Sequence, residues 1–561
     1  MLPPPVELTS EIREAVQHDV QSDSLGEGAP RLTVEGLTIA LPNGADRTFA
    51  LDRISLSLRA NEIVCVVGES GAGKTVLARS VMRLLPPGLS VASGRIILCG
   101  EDLTRSTEAR MRQIRGRHIG MIFQEPMSAL NPLMTVGRQV TEMITAHRAA
   151  ATSTCCREQA LDMFVRVSLE RPERIFQSYP HELSGGQRQR VMIAMALALN
   201  PHVLIADEPT SSLDVTSQAR IIALIKELQA KMETSVMFIT HDFGVVAEMA
   251  DRVAVLNAGR LAEVGATREV LTKPNHPRTQ ALIAAVPEMI VRPSTSAPRN
   301  AVVALRTVSL SKTYGARSSL LWRSTGEVPA IVDVNITIHR GRILGIVGES
   351  GSGKSTLARC IAQLLRADSG QVWLGQEDLC SMGPKQLRSR RKKMQMVFQD
   401  PFASLNPRQR VVDTVAQGPM VQGTPRGEAM ANALQLLRLV GLRENAADRF
   451  PHEFSGGQRQ RICIARSLAL SPELLIADEP VSALDASTQA QVLKLLQDVR
   501  DKFRLSMLFI THDLRIASQV CDDVAVMRGG RIVEQGPTAI VFSDPKHEYT
   551  RELIKALPGR T

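Results

Sequence analysis

Aromatic residues are scarce in this 561-residue chain, at 3%, with two Trp and three Tyr. The net charge of +10 invites a polyanion or an anionic membrane surface as partner. Lys and Arg are dispersed, however, and few aromatics interleave with them, so the charge reads as a solvated basic surface and no nucleic-acid partner is expected. The short basic cluster at 388–393 reads the same way, as the solvated face of a helix. Long apolar runs are missing too. Those at 63–68 and 203–206 are strand length, far short of the roughly 20 residues that a membrane span needs. The first 30 residues show no basic segment followed by an apolar one, which excludes the secretory pattern and leaves a disordered cytoplasmic tail as the expectation. Eight cysteines, at 65, 99, 155, 156, 360, 380, 463 and 521, show no CxxC spacing, so neither a disulfide framework nor a metal site is expected.

What the chain does have is a copy of itself. GESGAGKT at 68–75 recurs as GESGSGKS at 348–355, and MIFQEPMSALNP at 121–132 as MVFQDPFASLNP at 396–407. YPHELSGGQRQR at 179–190 recurs as FPHEFSGGQRQR at 450–461, and LIADEPTSSLD at 204–214 as LIADEPVSALD at 475–485. Lys74 and Lys354 are 280 positions apart, Gln124 and Gln399 are 275 apart, and Ser184 and Ser455 are 271 apart, as are His241 and His512. Length changes therefore fall in loops while the order of elements is kept, which marks two duplicated domains and not a solenoid. The boundaries read as a tail at 1–30, a first domain at 31–285, a proline- and serine-containing linker at 286–302 and a second domain at 303–561.

An apolar, mostly β-branched run at 63–67 leads into Gly68, Glu69, Ser70, Gly71, Ala72, Gly73, Lys74 and Thr75, followed by a helical pattern at 76–85. Strand, glycine loop and helix in that order form the context of a phosphate-binding loop. Glycines let backbone N–H groups converge on phosphate oxygens, and the helix N-terminus adds its partial positive charge. Lys74 is expected to bridge the β- and γ-phosphates of ATP, and Thr75 to offer its hydroxyl to Mg²⁺. Gly348, Glu349, Ser350, Gly351, Ser352, Gly353, Lys354 and Ser355 repeat the set. Two further apolar runs end in Asp207-Glu208 and Asp478-Glu479, the place for acidic groups beside a phosphate-loop strand. The aspartates are candidates for the metal, and the glutamates for orienting or deprotonating the attacking water. His241 and His512 end a third kind of apolar run, where ligands collect in open parallel sheets, and are candidate γ-phosphate contacts.

LSGGQRQR and FSGGQRQR, read from periodicity, are glycine turns opening a helix. They match the ABC signature, and the chain resembles the ABC transporter ATPases from about residue 31 to 560, with each hallmark in order in each half. The resemblance implies an α/β fold of two P-loop NTPase domains in tandem. Each would have a mostly parallel sheet core, an antiparallel β subdomain, and a helical subdomain near 126–183 and 401–454. It implies a head-to-tail dimer within one polypeptide. Ser455, Gly456, Gly457 and Gln458 would cover the ATP on Lys74, and Ser184, Gly185, Gly186 and Gln187 the ATP on Lys354. Asp214 and Asp485 would link the sites across the interface. Gln124 and Gln399 would sense the γ-phosphate and Mg²⁺. In the family an aromatic ring stacks on adenine; alignment puts Tyr314 at that position in the second half and Leu41 in the first, with Phe49 a possible substitute. Weaker adenine binding at the first site is therefore expected, by about 1 kcal/mol, the scale of an aromatic stacking contact.

The segments KPNHPRTQALIAAVP at 273–287 and DPKHEYTRELIKALP at 544–558 are amphipathic helix ends on physical grounds alone. By resemblance they look like the dipeptide, oligopeptide and nickel importer subfamily, whose fused versions include glutathione- and microcin-type peptide importers. The function so implied is the ATP-hydrolysing, energy-coupling subunit of a peptide-type importer, on the cytoplasmic face of the inner membrane. Its partners would be two integral-membrane permease subunits and, indirectly, an extracytoplasmic solute-binding protein. A soluble tandem ATPase acting on ribosomes or nucleic acid is the alternative. Such relatives carry a long charged inter-domain arm, zinc-spaced cysteines or an iron–sulfur domain, none of which is visible here.

Overall fold

The computed structural model describes residues 29–42, 47–147, 152–211, 213–286, 289, 301–315, 328–482 and 484–557. Most of the expected tail and linker lies outside them. The first strand begins at Pro30, inside the span read as tail, and the second half resumes with the strand Val303–Tyr314.

Each half is built on two sheets. In the first half β1 (Pro30–Ala40), β2 (Phe49–Arg59), β4 (Ser90–Leu98) and β5 (Glu101–Asp102) form an antiparallel sheet in the order β2-β1-β4-β5. The second sheet holds β3 (Ile63–Gly68), β6 (Ile119–Ile122), β7 (Val203–Asp207), β8 (Ser235–Ile239), β9 (Arg252–Asn257) and β10 (Arg260–Ala266), in the order β10-β9-β3-β8-β7-β6. All its pairings are parallel except that of β9 with β10. The second half repeats this six-strand order with its own strands, from Arg531–Pro537 across to Met394–Val397.

The apolar runs are explained by burial on both faces, as parallel strands flanked by other layers require. All six residues of β3 are buried. Cys65 and Val67 face the core shared with the helical subdomain, and Val64 and Val66 face the core shared with the antiparallel sheet. Cys65 thus acts as a small hydrophobe. The helical subdomain of the first half comprises Pro126–Ala129, Val136–His147, Ser153–Arg166 and Pro172–Gln177. That of the second half comprises Pro401–Ser404, Val411–Val421 and Arg426–Leu439, followed by short 3₁₀ turns. The helix after the first phosphate loop runs over Lys74–Val81 only, two residues earlier at its start and four shorter at its end than the pattern at 76–85 suggests. The two cores meet across the halves: Val215 of the first half is 5% exposed and belongs to the second half's hydrophobic cluster.

Candidate functional site

Both phosphate loops sit between the C-terminal end of a buried strand and a helix that begins at the lysine. Gly73 and Gly353 cap those helices in the left-handed region, at φ 107° and 106°. A Cβ at Gly73 would stand 2.9 Å from the Ala50 carbonyl oxygen, and one at Gly353 2.3 Å from that of Ala330, so only glycine fits. Lys74 Nζ donates to the carbonyl oxygens of Gly68 and Glu69 at 2.8 and 3.0 Å, and Lys354 Nζ to those of Gly348 and Glu349 at 2.8 and 2.7 Å. Burial lowers the pKa of both lysines against the pull of surrounding carboxylates.

The acidic pairs reach the loops, but not from the neighbouring strand as the sequence suggests: β8 stands between β3 and β7, and Ser506–Thr511 between Ile343–Val347 and Leu474–Asp478, because the strand ending at each histidine pairs with both. Thr75 Oγ1 donates to Asp207 Oδ1 at 3.2 Å, and Ser355 Oγ to Asp478 Oδ1 at 3.0 Å. Burial, reinforced by the neighbouring Glu208 charge, pushes the Asp207 carboxyl up to about 6, and Asp478 shifts in the same direction, chiefly through burial. The glutamates next door behave oppositely. Burial would raise Glu208, but its hydrogen bond to His241 and the charges of His241 and Lys74 outweigh burial and hold it ionised; His512 and Lys354 do the same for Glu479. The contacts are His241 Nδ1 to Glu208 Oε1 at 3.5 Å and His512 Nδ1 to Glu479 Oε1 at 3.3 Å. Gln124 Nε2 donates to Glu208 at 3.0 Å and Gln399 Nε2 to Glu479 at 2.9 Å. Both glutamates sit at φ 46°, a left-handed conformation that costs a non-glycine residue on the order of 1–3 kcal/mol and gathers at functional sites.

The two halves complete each other. A cavity of about 860 Å³ is lined by Ser70, Lys74, Gln124, Glu208 and His241 of the first half, and by Gly456 and Asp485 of the second. At the other phosphate loop, Asp214 Oδ2 accepts the Ser350 backbone N–H at 3.3 Å, and Thr216 donates to Glu349. Among the described residues, Asp485 makes no matching hydrogen bond to the first loop. Ser184 and Ser455 cap the two signature helices by accepting the N–H of Gln187 and Gln458, whose side chains return the bond. Gly185 and Gly456 pack near Leu213 and Leu484 of the Asp214 and Asp485 loops. Gly186 has open space around its Cβ direction, whereas Gly457 abuts Thr488.

At the positions expected to meet adenine, Leu41 lines the cavity and is partly buried, while Tyr314 is 45% exposed at the end of its strand. Leu41 pairs with Thr48 and Tyr314 with Val328, which places the two in equivalent positions. Phe49 is absent from the lining of that cavity among the described residues. Arg47 is present in it and donates to the Gly71 carbonyl at 2.7 Å. Arg47 lies outside every motif and was not legible in the sequence. Nor were the roles of the tail helices Pro277–Ala284 and Glu548–Lys555. Tyr549 Oη accepts the backbone N–H of Glu349 at 3.2 Å, and Arg278, at the equivalent place, stands 3.8 Å from Glu69. The repeat at an offset of 271 could have paired Arg278 with Tyr549, though not their targets.

A family model described as ABC transporter matches residues 51–211 and 331–482. A second, described as the C-terminal region of oligopeptide/dipeptide transporters, matches 262–317 and 533–560, behind each cassette. The glutathione import ATP-binding protein GsiA of Escherichia coli O157:H7 is 43% identical, over 96% of this chain and 91% of its own. The peptidoglycan transport ATP-binding protein YejF of Agrobacterium fabrum is 43% identical, over 94% of this chain and 96% of its own. Among solved structures, cbiO1 from Clostridium perfringens, described as part of the ABC transporter complex cbiONQ, is 29% identical, covering 43% of this chain and 91% of that one, with a TM-score of 0.39. Two complete motif sets folded as two phosphate-loop domains, matched by the family model in both copies and by full-length relatives, establish that the chain belongs to the ABC transporter family, as a fused pair of ATP-hydrolysing cassettes.

Proposed function

We propose that this chain is the energy-coupling ATPase of an importer for peptides or related small solutes, seated on the cytoplasmic face of the membrane beneath two permease subunits. The observation that carries the reading is the oligopeptide/dipeptide transporter C-terminal region behind both cassettes, in a chain that keeps the full ATP-handling set twice. No helix among the described residues is long and apolar enough to cross a membrane, so transport by this chain requires membrane partners. The two relatives named above are import and transport ATP-binding proteins, which disfavours a ribosomal or nucleic-acid role.

In the proposed mechanism, the loop N–H groups of 68–75 and 348–355 and the lysines hold the β- and γ-phosphates. Glu208 and Glu479, kept ionised by their histidines, orient the attacking water and take its proton as its oxygen bonds to the γ-phosphorus and the bond to the β–γ bridging oxygen breaks. His241 and His512 contact the γ-phosphate. Gln124 and Gln399, tied to those glutamates, pass the state of the phosphate to the helical subdomain. Each site also fits Mg²⁺: one carboxylate and one hydroxyl already meet, the glutamine is tied to the adjacent glutamate, and this cation takes few protein ligands and completes its shell with phosphate and water. Thr75, Asp207 and Gln124 would hold it in one site and Ser355, Asp478 and Gln399 in the other, where it neutralises phosphate charge. Ser455 to Gln458 and Ser184 to Gln187 close over the opposite nucleotides, Asp214 and Asp485 link the two sites, and Tyr314 stacks on one adenine. A cavity of about 820 Å³ between the core and the helical subdomain, lined by Phe398, Gln399, Val421 and Leu470, offers a seat for a permease segment.

Reconstitution with the permeases and binding protein of the same transporter tests the reading. Uptake into vesicles requiring ATP on the side of this chain, with ATPase activity raised several-fold by loaded binding protein, is the expected result. ATPase activity indifferent to any permease, with no membrane protein co-purifying, would refute it.

A further inference from the structure

The duplicated halves differ at the turn that follows each histidine. The first half reads THDFG at 240–244 and the second THDLR at 511–515, so Gly244 stands where the second half has Arg515. Asp242 and Asp513 each cap the helix behind their histidine, accepting the N–H of Gly244 and Arg515 at 2.8 Å. Arg515 then reaches in two directions. Its Nε is 3.3 Å from Asp513 Oδ1 in its own half, and its Nη2 is 3.3 Å from Asp242 Oδ2 across the interface. The three side chains are only 14% to 18% exposed. Gln218 Nε2 also approaches Asp242 Oδ2, at 3.4 Å. A small cavity of about 90 Å³ beside them is lined by Glu208, His241, Glu479 and His512.

We infer that Arg515 is a positioning residue that couples the two ATP sites by clamping Asp242 to Asp513, so that the histidine loops of both halves settle together. The chemistry follows from charge. Two carboxylates brought to one largely buried interface repel each other unless a cation stands between them, and the guanidinium meets both at once, Asp513 through Nε and Nη2 and Asp242 through Nη2. Arg515 belongs to one half but reaches Asp242 only when the other half is docked, so the bridge forms with closure and breaks with opening. Each aspartate is bonded in sequence to a histidine that contacts a glutamate. Order imposed by nucleotide at one site is thereby transmitted to the other through a bridge of one side chain, a discrete element that both sites bias. Because the first half has Gly244 where the second has Arg515, the bridge has no duplicate to take over when it is lost.

The inference rests on the ATPase reading, and the test separates the two. The full-length chain is compared with R515G, which installs the first half's residue, with R515K and with D242N. ATP dependence of hydrolysis gives the Hill coefficient, and fluorescent-nucleotide titration in K74A and K354A backgrounds gives the affinity of each site alone. The wild type is expected to hydrolyse ATP cooperatively. R515G and D242N should bring the Hill coefficient to unity and lower the maximal rate roughly five-fold or more, the usual span of a coupling interaction, with isolated-site affinities unchanged. R515K, which keeps the charge, should restore part of the cooperativity. Cooperative hydrolysis unaltered in R515G, a wild type that hydrolyses without cooperativity, or a loss in R515G that tracks a fall in thermal stability and is not rescued by lysine would each overturn the coupling role. A wild type with no ATPase activity would overturn the ATPase reading instead.

Discussion

Asp207 is a buried carboxyl held beside a second carboxylate, and its pKa is raised from 3.8 to about 6. The folded protein therefore keeps this proton to higher pH than the unfolded chain does. Between those two values the folded state binds more protons, so the group's contribution to stability falls as pH rises and stays low above about 6. Replacing Asp207 by Asn keeps the bond from Thr75 and removes the buried charge. In nucleotide-free, Mg²⁺-free protein at pH 7.5 the D207N variant is expected to be more stable, by on the order of 2 kcal/mol, with the gain disappearing near pH 4. Thermal melting at the two pH values checks this, and a less stable variant at pH 7.5 would contradict it. The nucleobase side yields a second expectation at this scale. Leu41 offers no ring, so a K354A variant, which reports the first site, should bind ATP about five-fold more weakly than a K74A variant, as a lost stacking contact of about 1 kcal/mol requires. Arg47, which lines that site with its guanidinium bonded to the Gly71 carbonyl, is the candidate to take the missing ring's part. Adding R47A should weaken the first site further and leave the second unmoved; equal affinities throughout would sink both points.

The tail helices act on the elements that hold phosphate. Tyr549 is buried, Arg528 lies 4.6 Å over its ring, and its hydroxyl takes the N–H of Glu349, the second residue of the second phosphate loop. Tyr549→Phe deletes one hydrogen bond and little volume. The second site is then expected to lose affinity for ATP several-fold, in line with about 1 kcal/mol for a neutral hydrogen bond, while the first site keeps its affinity. Nucleotide titration in the single-site backgrounds distinguishes this from a general loss of stability. The strands, phosphate loops, acidic pairs and histidines were legible in the sequence because each is local: an apolar run, a glycine pattern and a polar terminus fall within about ten residues. The bonds of Tyr549 to Glu349 and of Arg47 to Gly71 were not, since they join segments that no periodicity relates. The helix after Lys74 ends at Val81, before the apolar run does, because Arg83 takes the left-handed conformation at φ 50°, and the N–H groups of Arg83 and Leu84 turn back to the carbonyls of Ser80 and Arg79.

At the scale of the molecule, joining the halves keeps each at a high effective concentration for the other. A protease site is placed within 290–300, in the span expected to link the cassettes and outside the described residues of either. After cleavage, ATPase activity per molecule is expected to fall on dilution, whereas the joined chain's activity is independent of concentration; activity of the cut protein that survives dilution unchanged would show that the link is dispensable. The structure already shows the two sites unequally engaged, with Asp214 and Thr216 bonded to the second phosphate loop and no such bond from Asp485 among the described residues. Val215 extends that inequality into biosynthesis. The first half leaves the ribosome before the second is made, and the cluster that Val215 enters is otherwise built from second-half residues. The first half thus leaves the exit tunnel with an apolar anchor already presented, and the second half finishes folding against a neighbour that supplies part of its interior.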